Sequence, residues 1–167
     1  MTKTNWVRCY IGLGGNLANA LGSPREHIER AIAAFARSAD FDHVAVSSLY
    51  RSRAYGVTDQ PDFINAVLRA DTTLAPLALL DFCQALEQAA GRVRVRHWGE
   101  RSLDVDVLLY GDAIIDNTRL TVPHAGLLER NFVVIPLLEL DKHLTINGQK
   151  LQDLPIAEYW DGLDILV

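Results

Sequence analysis

Arg101-Ser102-Leu103-Asp104-Val105-Asp106-Val107-Leu108-Leu109 is an apolar run interrupted twice by aspartate. Val and Leu at this density read as a β-strand, and residues two apart on a strand share a face. Asp104 and Asp106 therefore stand side by side, with Val105 and Val107 turned into a core. The flanking leucines predict a central strand rather than a solvated edge. Two like charges on one face repel, and desolvating each costs on the order of several kcal/mol without a partner. A positive group is expected beside them. Arg92, Arg94, Arg96 and Arg101 precede or open the stretch. Paired carboxylates suit Mg2+ and arginine suits phosphate, so the pattern predicts a metal–nucleotide site.

Outward from this strand the chain alternates strand and helix patterns. Trp6–Leu13 reads as a first strand, which Gly14-Gly15-Asn16 is expected to break as a turn. Gly12-Leu13-Gly14-Gly15-Asn16 lacks the Lys-Ser/Thr ending of a P-loop and the spacing of a dinucleotide fingerprint. Ser23-Pro24-Arg25-Glu26 predicts a helix start with a capping box, followed by Ile28, Ala31, Ile32 and Phe35 at helical spacing. Val44–Tyr50 and Phe63–Thr72 read as a long hairpin. A second helix is predicted from Ala75 to Ala90, with Leu79, Leu80, Cys83, Leu86 and Ala90 apolar and Gly91 capping it. Ser102–Tyr110 is the fourth strand. Ile114-Ile115 with Leu120–Val122 predicts a small hairpin, and short helices are expected at Leu127–Glu129 and Phe132–Leu140. The last 25 residues are weakly patterned. The order strand, helix, strand, strand, helix, strand is that of an α+β, ferredoxin-like βαββαβ core. Its sheet is mainly antiparallel, and the extra C-terminal helices and hairpin are available to cover its second face.

The 167 residues fit one domain, and 49% hydrophobic residues supply a core. A net charge of -5 argues against a nucleic-acid track, and residues 92–101 concentrate four arginines beside one acid. A basic loop on an acidic body suits a small anionic ligand. Trp98 and Gly99 lie within that loop, which predicts packing on a flat ligand or a closing lid, with Gly91 and Gly99 as hinges. Cys9 and Cys83 have no metal-ligand spacing and read as buried thiols. The five histidines show no zinc spacing. No apolar run approaches the ~20 residues that span a bilayer. The chain is expected to be soluble, cytoplasmic and monomeric, with no membrane or nucleic-acid partner.

His97-Trp98-Gly99-Glu100-Arg101-Ser102-Leu103-Asp104-Val105-Asp106-Val107-Leu108 resembles the diagnostic motif of the 6-hydroxymethyl-7,8-dihydropterin pyrophosphokinase family. Tyr10–Leu17, Val46–Ser52, Asp59–Ala66, Leu120–His124 and Arg130–Val133 resemble further segments of that family in the same order. The resemblance implies transfer of pyrophosphate from ATP to a reduced pterin alcohol, with release of AMP, in folate synthesis. It implies Asp104 and Asp106 as ligands of two Mg2+ ions, and Arg92 and Arg101 as catalytic partners. For ATP it implies Gln84, Glu87, Arg94, Trp98, Val107, Arg119, Thr121, His124 and Arg130, with Gln84 and Glu87 one face over from the apolar stripe. For the pterin it implies Ser52, Tyr55, Phe63, Asn65, Trp98 and Phe132. Asn65 offers a donor and acceptors to the ring edge, and the two phenylalanines can stack on its faces. The sequence departs from the family at Ser52-Arg53-Ala54-Tyr55, at Ala125, and in extra material at Ala18–Gly22.

Two other classes fit parts of the pattern. A two-metal nucleotidyl-transfer or cyclase-like domain also uses carboxylates on a strand, but has no need of Asn65 between Phe63 and Phe132. An RNA-binding module of similar fold expects aromatic and basic residues on its sheet, where this strand carries aspartates.

Overall fold

The computed structural model describes residues 5–53, 60–91 and 100–166. Its elements run β1 (Val7–Gly15), α1 (Pro24–Arg37), β2 (Phe41–Val46), β3 (Tyr50–Ser52), β4 (Phe63–Thr72), α2 (Pro76–Ala89) and β5 (Asp104–Tyr110). A hairpin of β6 (Ile115–Asp116) and β7 (Thr121–Val122) follows, then α3 (Asn131–Leu140), a hairpin of β8 (Thr145–Ile146) and β9 (Gln149–Lys150), and β10 (Leu163–Ile165). The main sheet runs β10-β3-β4-β1-β5, with β2 also on β4, and every pairing is antiparallel. This is the expected ferredoxin-like order, with its second strand divided in two.

The start of α1 follows its sequence. Ser23 Oγ accepts from the Glu26 N–H, and Glu26 Oε1 accepts from the Ser23 N–H. The capping box satisfies two N–H groups that the helix itself leaves unpaired. Ile28, Ala31 and Phe35 then face the sheet. Buried Phe35 and Phe41 and half-buried Phe82 form a cluster with ring centroids 4.8–4.9 Å apart. Gly91, at φ +73°, turns the chain out of α2 as expected of a C-terminal glycine.

Alternation sorts the strands into two faces. Cys9, Ile11, Leu13, Ala66, Leu68, Val105 and Val107 pack toward α1 and α2. Tyr10, Val67 and Leu108 pack toward α3 and the segments after it. Covering of the second face by residues beyond 111 is thus as expected. Both cysteines are buried, and burial raises the Cys9 thiol to about 12.

Four expectations need correction. Gly14 and Gly15 continue β1 instead of ending it, paired with Asn65 and Ile64 of β4. They are small for close approach: a Cβ would meet Asn65 Oδ1 at 2.7 Å from Gly14, and the Ser102 carbonyl at 2.5 Å from Gly15. Val44–Tyr50 is not continuous, because the chain leaves the ladder at residues 47–49, where Ser47 Oγ accepts from the Val67 N–H. β5 is an edge strand rather than a central one. Its open side is covered by α2 and by the chain after β7, where the His124 N–H donates to the Leu108 carbonyl. Finally, the weakly patterned C-terminus contributes β10 to the main sheet, against β3.

Candidate active site

Register places the chemistry in rows across the sheet. Asp104 pairs with Gly14, Gly14 with Asn65, and Asn65 with Tyr50, one strand to the next. Asp106 pairs with Gly12, and Gly12 with Val67, in the next row on the same face. Strands about 4.8 Å apart put Asp104 and Asn65 about 10 Å from each other, with a glycine between. Missing side chains at Gly12 and Gly14 leave the floor of a cleft of about 530 Å³. Arg101, Asp104, Asp106, His124 and Arg130 line one part of it, and Ser52, Phe63, Asn65 and Phe132 another.

Asp104 and Asp106 do share a face, as the strand period requires. Their surroundings differ. Asp104 Oδ2 accepts from Arg101 Nη1 at 3.1 Å, and both side chains are 18% exposed. The Asp106 side chain is 42% exposed, with His124 Nε2 at 4.0 Å. His124 Nδ1 accepts from the Gly126 N–H at 3.1 Å, so the ring proton belongs on Nε2, turned to Asp106. Arg130 lies 5.9 Å from the centre of the Phe132 ring. A Cβ on Gly126 would meet that guanidinium at 2.7–3.0 Å, so the glycine gives Arg130 its place.

Asn65 is buried at 6% exposure, and its Nδ2 donates to Ser52 Oγ at 2.6 Å. Asn16 joins neighbouring segments: its Nδ2 donates to Gln60 Oε1 and the Pro61 carbonyl, and its Oδ1 accepts from the Arg101 N–H. By sequence alone Asn16 reads only as part of a turn. Its place directly after two glycines is the one sequence signal for it.

At the open side of β5, Arg119 donates to Asp81 at 2.6 Å and to Gln84 at 3.3 Å. The structure therefore brings Gln84 and Arg119 together, and exposed Thr121 lies two residues on in β7. Val107 is buried by its side chain in the core under α2. Glu87 requires correction. It lies on the buried stripe of α2 with Leu79 and Cys83, not one face over, and is 5% exposed. Its Oε2 accepts from the Val105 N–H at 3.0 Å, between the two aspartates. An edge strand turns alternate N–H groups outward, and this carboxylate meets one of them. Arg92, Arg94, Trp98 and Tyr55 lie outside the described residues.

The donor set fits a hard divalent ion: two carboxylates on one face, beside open space. Among the described residues, no group of three or more carboxylate, imidazole or thiol side chains is placed to hold a metal. Two carboxylates leave most of an octahedron to phosphate oxygens and water, the usual manner of holding Mg2+ with a nucleotide.

Comparison with known proteins identifies the family. Residues 10–142 match the family described as 7,8-dihydro-6-hydroxymethylpterin-pyrophosphokinase. A Haemophilus influenzae protein named 2-amino-4-hydroxy-6-hydroxymethyldihydropteridine pyrophosphokinase is 44% identical, over 89% of this chain and 91% of its own. A Pseudomonas aeruginosa protein of the same name is 46% identical, over 95% of this chain and 96% of its own. The crystal structure of a Plasmodium falciparum HPPK-DHPS variant with pteroate superposes with a TM-score of 0.67 at 11% identity, covering 91% of this chain and 43% of that one. That last likeness concerns the fold alone. Together with the order of motifs along the sequence, the family match and the identities make this chain a member of the 7,8-dihydro-6-hydroxymethylpterin-pyrophosphokinase family.

Proposed function

We propose that this chain transfers the terminal pyrophosphate of ATP to the hydroxymethyl oxygen of 6-hydroxymethyl-7,8-dihydropterin, releasing AMP. The observation that carries this reading is the row Asp104–Gly14–Asn65. It sets a carboxylate and an amide on one open floor, about two strand spacings apart. A nucleotide at one end and a flat ring at the other would bring a phosphate beside an alcohol.

The ring end suits a pterin. Asn65 presents an amide that both donates and accepts, and Phe63 and Phe132 offer apolar ring faces. Ser52 Oγ accepts from the Asn65 amide, a bond that a ring edge would replace or join. The phosphate end suits ATP. Arg101, His124 and Arg130 converge on the space before Asp104 and Asp106. The backbone of Val107, two residues beyond the outward Val105 N–H, faces the same open edge by the strand period. It would read the base edge, with Gln84, Arg119 and Thr121 alongside.

Asp104 and Asp106 would hold Mg2+, which supplies charge neutralisation at the phosphates when bound. The pterin oxygen attacks the β-phosphorus, the bond from that phosphorus to the α,β-bridging oxygen breaks, and AMP leaves. The hydroxyl proton passes out to solvent or a phosphate oxygen. Negative charge grows on the leaving oxygen, where Arg101, Arg130 and the Nε2–H of His124 can meet it. Arg101 would then exchange the Asp104 carboxylate for phosphate oxygens as the nucleotide arrives. Little covalent chemistry is asked of the protein, which positions two substrates and stabilises charge.

A thermal-shift series tests the reading. Pterin should raise the melting temperature in the presence of Mg2+ and a nonhydrolysable ATP analogue, and should add little without them. Equal stabilisation by pterin with and without nucleotide contradicts a shared cleft.

A further inference from the structure

We propose that Glu139, Ser48 and Tyr50 form a clamp that fixes the distance between α3 and β3, making Glu139 a positioning residue for the pterin ring; this rests on the reading of the cleft given above. Phe132, Ile135 and Glu139 are spaced i, i+3 and i+7 on α3 and so lie along one stripe of the helix. Phe132 lines the cleft, while Ile135 packs with Tyr50 and Leu163. Glu139 ends the stripe, about 10 Å along the axis from Phe132.

Both oxygens of Glu139 are engaged. Oε2 accepts from the Ser48 N–H at 2.7 Å and from Ser48 Oγ at 3.1 Å. Oε1 accepts from the Tyr50 hydroxyl. Ser48 sits where the chain leaves the ladder between β2 and β3, and Tyr50 opens β3, so β3 is held there by the helix as well as by β4 and β10. Tyr50 is buried and is the fourth member of the row Asp104–Gly14–Asn65–Tyr50. Two residues on, Ser52 accepts the Asn65 amide. The clamp thus acts on both walls of the ring site: on Phe132 through the helix, and on Asn65 through β3. None of its three members lines the cleft. The phosphate side is built mostly on other elements: Asp104 and Asp106 on β5, Arg101 just before it, and His124 after β7, with Arg130 at the start of α3, more than two turns from Glu139, as the one shared part. Loosening the clamp should therefore affect pterin far more than ATP.

Steady-state kinetics on the full chain test this with Glu139→Ala, Glu139→Gln and Tyr50→Phe. Glu139→Ala should raise the KM for pterin about tenfold, as expected for lost hydrogen bonds to a charged group, and leave the KM for ATP within about twofold. Glu139→Gln retains an acceptor for Ser48 and should recover most of the loss. Tyr50→Phe keeps the ring, removes one donor, and should fall between. If the variants melt earlier but keep the wild-type pterin KM, or raise both KM values equally, the clamp is a structural contact only and the proposal fails. Absence of any pterin-dependent AMP formation by the wild type would instead overturn the reading of the cleft, and this proposal with it.

Discussion

Under α1 and α2 the sheet is closed by Cys9, Ile11, Leu13, Leu68, Val105 and Val107, all buried among apolar neighbours. The opposite face of the same strands presents Gly12, Gly14, Asn65, Asp104 and Asp106 to an open cleft. Alternate residues of one strand thus serve two ends. Val105 secures the fold, while on either side of it Asp104 is balanced by Arg101 and the more exposed Asp106 stays beside solvent. A strand is suited to this because a single backbone position fixes both faces at once. The closed face keeps the carboxylates in place, and the open one keeps space before them.

Substitutions should separate the faces cleanly. The largest effect is expected from Asp104→Ala and Asp106→Ala, each lowering turnover at least about a thousandfold by removing charge positioning at the phosphates. Asp106→Ala should not lower the melting temperature much, since removing one of two like charges relieves repulsion, and Asp104→Ala should lower it only modestly, the same relief offsetting the partner that Arg101 loses. Parallel loss of turnover and stability would break the contrast between the faces. Phe35→Ala should do the reverse. It empties a fully buried site in the three-ring cluster and should cost about 3–5 kcal/mol in chemical denaturation. Protein that remains folded should retain a near-normal KM for ATP. The smallest effect sharpens the comparison at one position. Gly14→Ala puts a methyl 2.7 Å from Asn65 Oδ1 and should raise the KM for pterin about tenfold, with little change for ATP. Equal changes in both would place Asn65 outside the ring site.

Much of the closed face was legible in sequence because its rules are local. Ser23, Pro24 and Glu26 specify a helix start within four residues, and the period of two in Asp104–Val107 assigns the faces of β5. The open face depends on partners far along the chain. Gly14 and Gly15 look like a turn in sequence, yet they are strand residues because Asn65 and Ser102 come close to them. Glu87 reads as a polar helix position, but its partner is a backbone N–H of β5, 18 residues on. The division of the second strand at residues 47–49 follows from Ser47 bonding to β4 and Glu139 reaching across from α3. β10 carries too little pattern in three residues to be read, and its pairing with β3 locates it. Family resemblance supplied candidate site residues that spacing alone does not distinguish from core, Phe63 and Phe132 among them.

The most direct test follows the nucleotide product. Purified protein is incubated with ATP, Mg2+ and 6-hydroxymethyl-7,8-dihydropterin, and the nucleotides are separated over time. AMP should form in step with pterin consumed, with no ADP, and the yield should collapse in Asp104→Ala and Asp106→Ala. Formation of ADP, or AMP produced at an undiminished rate by either variant, would contradict pyrophosphate transfer at these two carboxylates.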